Sequence, residues 1–86
     1  MVDPAVLKVT VDVGLGLAKQ ATGPWQGKHR PTLQLTYPAT VGQLVEILGI
    51  PREYISFVTI NGEKKDWATN LGPDDQIMLF PYITGG

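Results

Sequence analysis

The group in this sequence best suited to chemistry is not a side chain. The chain ends Pro81-Tyr82-Ile83-Thr84-Gly85-Gly86, and a terminal carboxylate on Gly86 can be converted into an acyl donor. As it stands it is a poor one, because hydroxide is a bad leaving group, so activation must come first. Gly85 and Gly86 carry no Cβ and their backbone is permissive, so they offer little obstruction around that carboxylate. Extended, residues 81–86 reach about 20 Å at roughly 3.3–3.6 Å per residue, enough to reach a buried site from a docked domain.

Other candidates carry less. The chain has no cysteine, which removes disulfides, thiolate metal sites and cysteine nucleophiles together. His29 is the single histidine; with no second histidine or cysteine, it reads as a solvated loop residue rather than a transition-metal ligand. Asp74 and Asp75 are adjacent carboxylates, but on a turn before a strand they satisfy local backbone donors. Gly14-Leu15-Gly16 lacks the third glycine of a dinucleotide fingerprint and precedes no convincing helix. Lys64-Lys65-Asp66 reads as a solvated hairpin tip, with a contribution to partner electrostatics left open. Trp67 reads as an anchor at the edge of the core. No nucleophile–base pair stands out, so catalysis by the chain itself is the weakest reading.

Composition sets the frame. The 86 residues suit one small domain, 43% hydrophobic and only 17% charged, which is the balance of a folded chain. The formal net charge is -1, and no basic run exceeds Lys28-His29-Arg30, so phosphate-tracking nucleic-acid binding has little support. No run of about 18 apolar residues exists to span a membrane. Met1-Val2-Asp3-Pro4 lacks the basic and apolar regions of a signal peptide, and the expected location is cytoplasmic.

The elements that must position the tail follow from periodicity. Leu7, Val9, Val11 and Val13 alternate with Lys8, Thr10 and Asp12, a half-buried strand ended by Gly14 and Gly16. Thr32 to Tyr37 repeats the pattern with Leu33, Leu35 and Tyr37 inward; the two strands are expected to pair antiparallel across a long Gly14–Pro31 loop. Thr40 and Gln43 form a capping box, and Val41, Leu44, Val45 and Leu48 fall on one helical stripe. Gly49 and Pro51 end that helix. Gly42 weakens it by up to about 1 kcal/mol, in a first turn where packing can compensate. A third strand covers Ile55–Ile60, Asn61-Gly62 turns the chain, a short strand is expected over Glu63–Trp67, and Gln76–Phe80 is the last strand, ended by Pro81. Strands with one crossing helix predict an α+β fold with the helix covering one sheet face, and a single domain over residues 1–80 with a flexible tail at 81–86.

Three local matches make the chain resemble the ubiquitin-like sulfur carriers of the molybdopterin synthase small-subunit (MoaD) and thiamine-biosynthesis (ThiS) family. They are Val58-Thr59-Ile60-Asn61-Gly62; Leu71 followed by Asp74-Asp75-Gln76-Ile77; and Phe80-Pro81-Tyr82-Ile83-Thr84-Gly85-Gly86. The similarity covers about residues 5–13 and 32–86; the Gly14–Pro31 loop is richer in glycine than the short helical segment usual there. The resemblance implies a β-grasp fold, a mixed four- to five-stranded sheet with one main helix on one face. It further implies that an E1-like adenylyltransferase (MoeB- or ThiF-like) adenylates the Gly86 carboxylate with ATP. Sulfur attack then yields a thiocarboxylate. The acceptor implied is a molybdopterin synthase large subunit in molybdenum or tungsten cofactor assembly, with Phe80-Pro81 favouring the MoaD side. The carrier binds no cofactor itself; ATP is consumed by its partner. A thiamine-pathway carrier, a prokaryotic protein modifier and a non-covalent β-grasp interaction module remain alternatives.

The same alternation predicts a docking surface beside the tail. Val58, Ile60, Ile77 and Leu79 face the helix, leaving Phe57, Thr59, Met78 and Phe80 on the open sheet face, where the first two strands contribute only polar side chains. Phe57, Met78 and Phe80 would then form an exposed apolar patch, typical of partner sites. Two other arrangements are open: the Gly14–Pro31 loop covers the patch with Trp25 as its plug, or the strand register is shifted by one.

Overall fold

The computed structural model describes residues 6–82. Five strands form one sheet: β1 (Val6–Asp12), β2 (Thr32–Thr36), β3 (Ile55–Ile60), β4 (Glu63–Lys65) and β5 (Gln76–Pro81), in the order β2-β1-β5-β3-β4. β1 pairs antiparallel with β2 and parallel with β5; β3 pairs antiparallel with both β5 and β4. The main helix, α2 (Val41–Leu48), carries the chain from β2 across one face of the sheet to β3, and β5 fills the gap between β1 and β3. This mixed five-stranded sheet with one main helix on one face is the β-grasp fold. No helix among the described residues is long and apolar enough to cross a membrane.

The core lies between sheet and helix. Leu7, Val9, Val11 and Val13 of the first strand segment, Leu33 and Leu35 of β2, and Val58, Ile60, Ile77 and Leu79 all bury against Val41, Leu44, Val45 and Leu48. Period-two strands and a 3.6-period stripe therefore meet face to face, as their patterns require. The α2 N-terminus is capped reciprocally: the Gln43 amide donates to Thr40 Oγ1 at 3.3 Å, and the Thr40 amide donates to Gln43 Oε1 at 2.8 Å. At the other end Gly49 adopts φ 75°, its amide donating to the Val45 and Glu46 carbonyls. A Cβ on Gly49 would also run into the Thr22 side chain. Gly42 has its compensation: the Arg52 guanidinium lies where its Cβ would be, stacked 4.9 Å from the Trp67 ring centroid, while the Gly42 amide donates to the Trp67 carbonyl.

Several expectations are corrected. Tyr37 does not point inward but is 52% exposed; β2 ends at Thr36 and the chain bends at Tyr37-Pro38, which takes Tyr37 out of the strand's alternation. The Gly14–Pro31 segment is not a plain loop. It forms a short helix, α1 (Gly14–Ala18), and a 3-10 turn at Gly23–Trp25, with Leu17, Ala18 and Ala21 in the core and Trp25 packed against it. The fourth strand stops at Lys65; Asp66 instead accepts from the Ala68 amide and the Thr69 hydroxyl, both at 3.0 Å. The hairpin tip is Asn61-Gly62, both at positive φ. β5 continues through Pro81, opposite Ile55, so the strand does not end at Phe80.

The local devices carry separable energies. Thr40→Ala should lower unfolding free energy by about 1 kcal/mol in urea titration, the usual worth of an N-cap. Gly49→Ala should cost more, because left-handed strain of roughly 1–2 kcal/mol adds to the collision with Thr22.

Candidate functional site

The last described residues set the exit of the tail. β5 has ladders on both sides only as far as Met78, which lies opposite Asp12 of β1. Beyond it, Phe80 and Pro81 pair on the β3 side alone. A proline is tolerated where a strand has lost a neighbour, since no donor is needed there. Tyr82 follows, 59% exposed, beside a cleft lined by Leu17, Gln20, Glu53, Tyr54 and Pro81. The residues expected to act chemically and to thread, Ile83, Thr84, Gly85 and Gly86, lie outside the described residues.

The open face beside this exit is built by a bulge. Ile55 pairs with Pro81 and Phe57 with Phe80, so β3 spends two residues where β5 spends one. That extra residue, Ser56, lets Ile55 enter the core while Phe57 turns to the opposite face. There Phe57 and Phe80 stack with ring centroids 4.3 Å apart and planes 8° from parallel. The register expected for Val58, Ile60, Ile77 and Leu79 holds, and so does the placement of Phe57, Met78 and Phe80 on the helix-free face.

Exposure differs from the expectation. Phe57 and Phe80 are half-buried by their mutual stack, and only Met78 is openly exposed, at 40%. Thr59, expected to be accessible, is 8% exposed. Thr59 lies between two cross-strand neighbours, Met78 on β5 and Lys64 on β4, and the Lys64 Nζ reaches 5.4 Å from the Phe57 ring centroid. The aliphatic stem of Lys64 must therefore run beside Thr59, as lysine stems do over apolar surface. Trp25 does not plug this face, because it packs against the core on the helix side. The open face is not wholly polar on its other half either, since Val6 is exposed there beside Lys8 and Thr10. Next to Met78, Asp12 pairs with Arg30 at 3.3 Å, an exposed contact that adds little stability.

The remaining candidates resolve into structure. Asp75 accepts from the Gly72 amide at 2.6 Å and from Asn61 Nδ2 at 3.0 Å, while Asn61 Oδ1 accepts from the Gln76 amide at 3.0 Å. This clasp fixes the start of β5 against the hairpin turn. His29 is exposed, its carbonyl accepting from the Val13 amide. Trp67 is half-buried against the core, as expected. Among the described residues no group of three or more His, Asp or Glu stands together to hold a metal ion.

Sequence reasoning missed Lys64 as part of this surface. The available signal was its register two residues from the Asn61-Gly62 turn, which puts it on the face of Thr59. The Thr59 hydroxyl is buried with no hydrogen-bond partner among the described residues, which costs on the order of 1–3 kcal/mol. Thr59→Val should therefore raise stability in urea titration by about 1 kcal/mol; a loss of stability would mean the hydroxyl is satisfied after all.

Comparison with known proteins agrees with this geometry. Residues 25–84 match the family model described as Mut7-C ubiquitin. The crystal structure of SAMP1 from Haloferax volcanii superposes with a TM-score of 0.67 at 23% identity, covering 92% of this chain and 99% of that one. At that identity the likeness establishes a common fold. A search of curated proteins gives no match. The family match spans well over half of the sequence and includes α2 and β2 through β5: the chain belongs to the Mut7-C ubiquitin family.

Proposed function

We propose that this ubiquitin-like protein is a sulfur carrier whose working atom is the carboxylate carbon of Gly86. The observation that carries the proposal is a Gly85-Gly86 pair three residues beyond the last strand, Gln76–Pro81, of a β-grasp sheet. An E1-like adenylyltransferase of the MoeB or ThiF kind would direct a Gly86 oxygen to the α-phosphate of ATP, releasing pyrophosphate. A sulfur nucleophile would then attack the acyl adenylate and expel AMP, leaving a thiocarboxylate. The acceptor we favour is a molybdopterin synthase large subunit, on the strength of Phe80-Pro81. The exposed exit at Tyr82 and the adjoining Phe57–Phe80 stack with Met78 support docking of the activating partner on the open face. An apolar centre flanked by polar groups is the usual anatomy of such a contact. Within this scheme the chain is a co-substrate, and the chemistry belongs to its partners.

The decisive measurement is intact mass after incubation of the natural protein with its cognate adenylating enzyme, ATP and sulfide. The mature protein should end at Gly86 and gain the difference between one sulfur and one oxygen atom, and deletion of Gly86 should abolish the gain. Identical behaviour of the two chains, or a mature protein extending past Gly86, sinks the reading. Phe80→Asp should lower the adenylation rate roughly tenfold or more while circular dichroism reports a retained fold; unchanged adenylation would remove the open face from the docking surface.

A further inference from the structure

The sheet has two edges, β2 and β4, and they are treated differently. β4 is three residues long, fully exposed, and carries Lys64 and Lys65, the usual means of discouraging another strand from pairing. β2 has none of these protections. It runs Thr32-Leu33-Gln34-Leu35-Thr36 without charge, proline or bulge, and among the described residues its outer edge has no backbone partner.

Alongside that bare edge lies an open cleft of about 770 Å³. One wall is Gln34, Leu35 and Thr36 of β2 with Tyr37 and Pro38; the other is the flank of α2. Gln43, Glu46 and Ile47 fall at i, i+3 and i+4, so they form a single outward ridge. Tyr37 is 52% and Ile47 48% exposed; both line the cleft, one from each wall, and neither belongs to the core. Among the described residues Glu46 is the one charged residue lining the cleft.

We propose that this cleft takes a short extended segment of a partner polypeptide, added to the free edge of β2 as a further strand. Backbone groups along Thr32–Thr36 select an extended chain, because only an added strand satisfies them in register. The Tyr37–Ile47 pair takes an apolar side chain, and Glu46 takes a lysine or arginine flanking it. β1 separates β2 from β5, so this surface is distinct from the tail exit and both can be engaged at once.

The test uses the isotope-labelled protein titrated with a synthetic peptide of alternating valine and threonine that ends in lysine, followed by amide NMR spectra. The expected shifts are confined to Thr32–Tyr37 and to Gln43, Glu46 and Ile47. Replacing the peptide's lysine with glutamate should weaken binding roughly three- to fivefold, and Glu46→Lys should invert that preference. Ile47→Asp should weaken both peptides roughly tenfold; both positions are exposed, and Glu46→Lys decides the matter if Ile47→Asp disturbs the fold. Shifts located elsewhere, no binding, or equal affinity for the two peptides that Glu46→Lys leaves unchanged would overturn the proposal. So would concentration-dependent shifts of Thr32–Thr36 without peptide, which would make the occupant a second copy of the chain.

Discussion

Everything in this fold depends on β5 lying between β1 and β3. The first and last strands are parallel neighbours at the centre of the sheet, so the chain must close on itself before either is paired on both sides. Parallel pairing of segments so far apart in sequence costs loop-closure entropy before it returns any contact. The return comes from burial: Val11 lies opposite Ile77, both inaccessible to water, beneath the apolar stripe of α2. The Asn61–Asp75–Gln76 clasp holds the start of β5 in register with β3. The direction of β5 then determines where the chain leaves the sheet, and so where a threaded terminus has to begin.

The parts of this architecture legible in the sequence are those set by local rules. The alternation at Leu7–Val13, the capping box at Thr40 and Gln43, the glycine stop at Gly49 and the Asn61-Gly62 turn each depend on a few adjacent residues. Their physics is the same in a peptide as in the protein. The register of β3 and β5 was readable for the same reason, and it placed Phe57, Met78 and Phe80 on the correct face.

What escaped sequence reading depends on partners distant along the chain. α1 is five residues with two glycines, too weak in propensity to be seen; its Leu17 and Ala18 are held by the core they enter. Tyr37 continues the alternation of β2 in the sequence, but the bend at Tyr37-Pro38 takes it out of the strand. The burial of Thr59 depends on the long side chains opposite it on both neighbouring strands, Met78 and Lys64, and the stacking of Phe57 on Phe80 on a single bulged residue at Ser56. Neither has a periodic signature. The terminal Gly85 and Gly86 were conspicuous in the sequence, and the functional proposal leans on them together with the fold rather than on side-chain geometry.

The bulge and the stack also join the two sides of the sheet. Ile55 and Phe57 are separated by one residue, yet one belongs to the core and the other to the open face. β4 has the opposite character. None of its three residues is buried, and it contributes nothing to the core, but it is all that covers Val58-Thr59-Ile60 along the outer edge of β3. Those residues belong to an apolar, β-branched run of the kind that propagates into cross-β stacks when left bare. The short lysine-bearing strand thus acts as a gatekeeper for this side of the sheet, and local opening of that hairpin, without global unfolding, is enough to expose the run beneath it.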